Sequence, residues 1–393
     1  MFDTIYVGTS GLLTHAKGLR VVGDNLANVN TPGFKSAQLQ FSDLFEQGSG
    51  LYSQKQENHG ATGTGVTSLG SRINFSAGLD QTTGNALDLS IQGNGFYVIK
   101  RGDALLYTRS GDFRFDADGI LVNSAGDHVL GMDASGKLAD ISLAGYERSA
   151  PVATTTVKFS GNLTAPTATA TTTDAGTATA TVIDAGGASH TLNLAFKSSA
   201  TGSYTVTVTD GTTAVGSGTI KFAAGAPVAG SDSITVNYAP ADTTPFDVKL
   251  DFSGNVTSLA SSTLLTAAQD GYVPGTRKDQ SIEADGTVKI FYSNGKDAKG
   301  QRLVLANFGS EDDLEQVGGS AFRLRGEDGV FYGYAGDGSF GSLLAGHREG
   351  SNVDLASEFS NLILMQRGYQ ASSHVISTAN DMIQQLFDMK GNR

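Results

Sequence analysis

The chain contains no cysteine and no tryptophan, and only 17% of its 393 residues are charged. Without thiols there are no disulfides and no thiolate-held metal, and the redox compartment stays open. Without tryptophan the chain lacks the largest aromatic platform on which a sugar ring could stack. No run of 18 apolar residues occurs, so no helical membrane span is expected and no membrane insertion. The opening segment, MFDTIYVGTSGLL, has an acid at Asp3, no basic stretch and no adequate apolar core, so no cleaved secretory signal is expected. A net charge of −12 disfavours nucleic acid and anionic lipid as principal partners.

Catalytic patterns are equally scarce. There is no GxSxG elbow. His15, His59, His128, His190, His347 and His374 are scattered singly, with no HxxxH pair to hold a metal. The glycine pattern Gly336 to Gly341 puts Asp337 where a pyrophosphate would lie, and no βαβ unit surrounds it, so a plain turn is expected. In the loop Asp116 to Gly119, Arg114 stands where a calcium loop needs its first ligand and Ala125 where it needs its bidentate glutamate. A hairpin turn accounts for Asp116 and Asp118, so neither they nor Asp112 need be an acid and base pair. No cofactor, metal or catalytic residue is assigned, and the chain is read as not an enzyme.

What the sequence does contain is two amphipathic ends around a β-rich middle. Leu12, Ala16, Leu19, Val22, Leu26 and Val29 recur at steps of three and four, which predicts an N-terminal helix with one apolar stripe. A second stripe runs from Leu355 through Phe359, Leu362 and Tyr369, then shifts onto Val375, Ala379, Met382, Leu386 and Met389. Ser351 and Asn352 ahead of it, with Asp354 and Glu358 in its first turns, suit a capped helix start. At 1.5 Å per residue this helix spans roughly 55 Å, longer than a small domain is wide. Two such helices with one wet face do not cover the entropy of ordering them, which points to coiled-coil contacts completed by neighbouring copies. The competing reading is that they only pair with each other as a hairpin capping the β body.

The segment Asn25 to Lys35, NLANVNTPGFK, ends the first helix, and Pro32 and Gly33 suit the second and third positions of a type II turn. Asn28, Pro32, Gly33 and Phe34 are assigned to that turn. From Ser36 to Arg72 a polar stretch reads as a long extended connector. From Ile73 to Leu143 short strand runs alternate with turn clusters, and they resume from Gly271 to Gly346. Between Pro151 and Gly230 the composition changes to 20 threonines against 6 charged residues, which marks a separate β domain. The predicted architecture is mainly β with terminal α-helices. Its domains are 1–30 with 352–393 as a helical inner domain, 31–72 as connector, 73–147 with 271–346 as one β domain and 148–270 as an outer one.

The NLANVNTPGFK turn, the run LSIQGNGFYVI at Leu89 to Ile99, YTRSGDF at Tyr107 to Phe113, SNVDL at Ser351 to Leu355 and QRGYQA at Gln366 to Ala371 together resemble the flagellar rod and hook family of axial proteins. Total length, the β insertion and QDGYVPG at Gln269 to Gly275 resemble its hook members most. The resemblance covers about the first 145 and last 125 residues. It implies a non-enzymatic subunit of the flagellar hook, a short curved tube that passes motor torque to the filament. It also implies export through the flagellar type III channel without a cleaved signal. The implied partners are other copies of the chain, the hook cap, the distal rod, the junction proteins toward the filament and the export apparatus. Gly368 stands where the family usually has a larger residue and is expected to loosen one turn of the last helix. The assembly contacts are assigned to Leu12, Leu19, Leu26, Leu355, Phe359, Leu362, Met382 and Leu386. Two other readings are a rod subunit, which lacks most of the insertion between Pro151 and Thr266, and a secreted adhesin or carbohydrate-binding β protein, which offers no reason for paired terminal helices.

Overall fold

The computed structural model describes residues 2–45, 63–133, 135–165, 173–199, 202–241, 243–261, 263, 265–326 and 329–391. Helix α1 spans Phe2–Ala27 and helix α2 spans Leu355–Gly391; the described residues between them form strands, turns and one short 3-10 helix. Contacts divide the chain into two compact units. One is Met1–Leu143 with Gln280–Lys289 and Lys299–Arg393; the other is Ala144–Asp279 with Ile290–Ala298.

α1 carries Asp3 in its first turn, where a carboxylate complements the helix dipole. It stops where asparagines follow one another. The Asn28 side chain turns back on the Asp24 carbonyl at 3.0 Å and Thr31 donates to Asn28 Oδ1 at 3.0 Å. α2 is capped by Asp354, whose carboxylate accepts from the Ala356 amide at 2.9 Å. Asn352 is spent elsewhere, on the carbonyls of Asn74 and Ser76.

The stretch that reads as one extended connector instead runs out and back. Strands β1 (Ala37–Phe45) and β2 (Gly63–Ile73) pair antiparallel, with bulges at Gln40/Phe41 and Leu44/Phe45. The sequence hid this because the pairing strands are polar and lack strict alternation; the intervening residues 46–62 lie outside the described ones. After β2 the first unit interleaves outgoing and returning chain. Strand Phe96–Arg101 pairs antiparallel with Ala104–Thr108, with His128–Met132 and with Leu305–Phe308. Leu89–Gln92 pairs with Ser342–Ala345, and Asp80–Thr82 with His347–Glu349. The core beneath holds Phe96, Val98, Tyr107, Leu130, Phe308 and Phe322. Phe75, just after β2, packs edge-on against Phe96 and Phe322 with ring centroids 5.5 and 5.1 Å apart.

In the second unit a five-stranded sheet begins with the meander Thr173–Ile183, Ser189–Ser199, Ser203–Asp210 and Thr213–Ala223. A four-stranded sheet contains the parallel pair Thr156–Thr164 and Phe246–Leu259. Burial alternates along these strands: in Ser189–Ser199, Leu192, Leu194 and Phe196 are buried while Thr191, Asn193 and Ala195 face out. Both sheets feed one core that includes Val157, Phe159, Phe196, Tyr204, Leu250 and Phe252.

Candidate assembly interface

The two helices meet along a seam of small residues, not along their leucine stripes. A Cβ built on Gly8 would lie 2.7 Å from Ile376 Cγ1, on Gly11 2.7 Å from Ser372 Oγ, and on Gly18 2.6 Å from Met365 Sδ. The same face of α1 carries His15, which lies against Gly368, and Asn25, whose amide donates to Glu358 Oε1 at 3.1 Å. Burial pushes the Glu358 carboxyl up; the Asn25 hydrogen bond pulls it down and the Asp354 charge pushes it further up.

β1 and β2 cover another side of α1. Thr14 Oγ1 reaches the Val66 carbonyl, Ser10 Oγ accepts from the Val66 amide at 3.3 Å, and Lys17 reaches Ser68. A cavity of about 320 Å³ lies between α1, β1 and α2, lined by Val21, Leu39, Phe41, Ser357, Asn361 and Met365 among others.

With α1 held on two sides, the residues assigned from sequence to assembly fall into two groups. Leu12, Leu19, Leu26 and Leu362 are half-buried within the chain. Leu355, Phe359, Met382 and Leu386 remain 45%, 53%, 51% and 49% exposed. Beside them Ile363, Leu364, Phe387 and Met389 are exposed as well. A helix with this many large apolar side chains in water at both its start and its end presents far more than the scattered apolar residues of an ordinary surface. Burying the half of such a side chain that is still exposed contributes about 0.8–1.5 kcal/mol.

The turn residues lie together at the foot of α1. The Phe34 amide donates to the Thr31 carbonyl at 3.3 Å, and Gly33 has φ +64°, the sign the third position of a type II turn requires. Gly33 is also close against the backbone of Ser110: a Cβ there would lie 2.7 Å from Ser110 Cα. Phe34 is buried behind it.

Sequence reasoning missed the seam itself. Gly8, Gly11 and Gly18 recur at steps of three and seven, so the signal was present as a stripe of small residues rather than large ones. The two remaining motifs are turns. Asp116 Oδ1 accepts from the Asp118 and Ile120 amides, and the Gly336 amide donates to the Gly341 carbonyl at 3.0 Å. Two of the carboxylates beside the cavity near the base of β1 and β2 are tied to arginines, Asp312 to Arg72 and Glu315 to Arg323 and Arg325. The Arg323 hydrogen bond holds the Glu315 carboxyl below its usual range. Among the described residues no three metal-ligating side chains converge, and no helix is long and apolar enough to cross a membrane.

Residues 5–35 match the family described as flagella basal body rod protein, residues 90–188 the flagellar hook protein FlgE/F/G D1 domain, and residues 344–389 the flagellar basal body rod FlgEFG protein C-terminal family. Over 411 residues the chain is 30% identical to the flagellar hook protein FlgE of Salmonella typhimurium, covering 97% of this chain and 98% of that one. It is 30% identical to that of Escherichia coli over 407 residues, with the same coverage, and 29% identical to that of Treponema pallidum over 462 residues, covering 99% and 100%. The solved flagellar hook protein FlgE2 of Helicobacter pylori aligns with 67% of this chain and 98% of its own at 14% identity, with a TM-score of 0.46. With near-complete coverage of both chains by sequence, this protein belongs to the flagellar hook protein FlgE family.

Proposed function

We propose that the chain is the structural subunit of the bacterial flagellar hook, polymerising with itself into a flexible tube that works as a universal joint between rod and filament. The observation that carries this reading is the set of large apolar side chains that α2 leaves exposed, Leu355 and Phe359 near its start and Met382 and Leu386 near its end, in a chain that aligns with hook proteins over 97% of its length. Alignment over nearly the whole of both chains with proteins named flagellar hook protein favours hook over rod.

In this reading 1–30 with 352–393 forms the inner wall of the tube. There the exposed leucines, phenylalanines and methionines of one copy are covered by the helices of the next. A heterologous contact whose rotation does not close grows as a helix rather than a ring. The β domain of 73–147 with 271–346 keeps its shape while residues 31–72 and the outer domain of 148–270 change neighbours as the tube bends. The outer domain's threonine-rich exterior suits this role, since polar, wet contacts are weak singly and easily remade. Partners of the ends of the tube are the distal rod, the hook cap and the junction proteins toward the filament. Delivery is by the flagellar export apparatus to the outside of the cell.

Electron microscopy of the purified, concentrated protein tests the reading. Tubes of uniform diameter are expected; a preparation that stays monomeric at high concentration in every condition overturns it.

A further inference from the structure

The first unit buries an ionic cluster at the foot of both helices. Lys35, Glu349 and Arg109 have side chains 0%, 2% and 4% exposed. Lys35 Nζ lies 2.5 Å from Glu349 Oε1 and donates to the Ser76 carbonyl at 2.7 Å. The same Oε1 accepts from the Gly78 amide at 2.8 Å, and the Glu349 carbonyl accepts from the Gly33 amide at 2.8 Å. Arg109 Nη1 is 3.6 Å from Glu349 Oε2, and its guanidinium lies 5.0 Å from the centre of the Phe96 ring. Asn352 closes the arrangement by accepting from the Ser36 amide at 2.7 Å and donating to Asn74 and Ser76.

Three pieces of chain therefore converge on one residue: the exit from α1, the exit from β2 and the entry into α2. The cluster is not built for stability alone, because apolar residues of the same volume often serve stability as well as a buried ion pair or better. It also sets two cations against one carboxylate. Burial pulls the Lys35 ammonium down against the opposing effect of Glu349, and among the described residues Tyr97 Oη, Arg109 Nε and Nη1 and Glu349 Oε2 have no hydrogen-bond partner. What charges provide that an apolar plug does not is direction, since each hydrogen bond is satisfied in one arrangement only.

We propose that Glu349 is a positioning residue that locks the directions in which α1 and α2 leave the β strands, so that the pair is presented in a single orientation. The lock is a property of the single chain; its use in ordering a tube rests on the hook reading.

Residue-resolved amide exchange on dilute, full-length protein tests it without any polymer. In Glu349→Gln, the amides of Gly33, Ser36, Gly78 and Asn352 are expected to exchange at least about tenfold faster while those of Ile99 and Val129 keep their protection. Unchanged junction amides overturn the proposal, and so does an equal acceleration of Ile99 and Val129, which marks ordinary core loss. If Glu349→Gln does not fold, the neutral pair Lys35→Met with Glu349→Met replaces it. Core protection with fast junction amides is then expected, and native junction protection in that pair overturns the lock.

Discussion

The His15 imidazole occupies the space that a side chain at Gly368 would need: a Cβ built there would come within 2.5 Å of Nε2 and 2.7 Å of Nδ1. The far side of the ring meets Phe41, centroids 5.6 Å apart. Gly368 does not loosen α2, which is continuous from Leu355 to Gly391; it admits a ring from α1. Alanine is the better helix former by about 1 kcal/mol, yet Gly368→Ala is expected to weaken the helix pair by about 1–3 kcal/mol, because the ring must leave its place between Gly368 and Phe41. Adding His15→Ala should restore it. A double-mutant cycle on the helical circular dichroism melt measures the coupling; a Gly368→Ala chain more stable than its parent refutes the fit.

Leu386 is half exposed and Leu19 half-buried, so aspartate at the two positions separates assembly from folding. Leu386→Asp should abolish tubes while changing monomer stability by less than about 0.5 kcal/mol. Leu19→Asp should also abolish tubes and in addition loosen the helix pair, with the β strands melting nearly as before. Sedimentation and calorimetry report the two quantities. Parallel loss of assembly and β-body stability at Leu386 would favour a helix hairpin that only caps its own chain.

Removing the outer β domain tests the division of labour along the tube. The Ser149 amide donates to the Gly275 carbonyl at 2.9 Å, so residues 151–274 can be replaced by a short link without moving the chain ends. Such subunits are expected to polymerise into tubes that are straight or abnormally stiff, as judged by curvature in electron micrographs. If they do not polymerise at all, the outer domain is part of the assembly machinery.

Acid sensitivity follows from paired carboxylates. The Arg101 hydrogen bond holds Asp127 below its usual range, with Asn123 adding to it, and the His190 hydrogen bond does the same for buried Asp184. A carboxyl whose folded pKa is depressed contributes stability that is full above the unfolded value, about 3.9, and is lost as pH falls through the lower folded value. Unfolding temperature should therefore drop as pH falls below about 4. Asp127→Asn should cost about 1–2 kcal/mol at pH 7, less than a fully buried charged hydrogen bond because Arg101 is partly solvated. The same variant should show a shallower acid decline; an unchanged pH profile argues against the pairing.

Much of this molecule was legible before any coordinates. The stripe from Leu355 announced α2, because a period of three and four over so many residues has no other use. The proline and glycine of Pro32-Gly33 announced a turn, because a positive φ at the third position needs no side chain in the way. The change in composition near Pro151 marked a second β unit. The small-residue seam was misread because burial was equated with bulk: Gly8, Gly11 and Gly18 pack by letting backbones approach, and hydrophobicity counts them as nothing. β1 and β2 were misread as a single extended connector because pairing leaves no mark in a polar strand whose partner is two dozen residues away.

The two terminal helices, the Pro32-Gly33 turn and the threonine-rich exterior are local properties, written in side-chain period, turn chemistry and composition, and the sequence determined them unaided. Which face of α2 meets α1 was decided only in three dimensions. A Gly–Met, Gly–Ile or His–Gly contact depends on the volume the partner offers, and that volume belongs to neither segment alone. The same holds for Lys35 and Glu349, 314 positions apart in the chain: a charge becomes a buried anchor only when folding brings its opposite within hydrogen-bonding distance and removes the water from both.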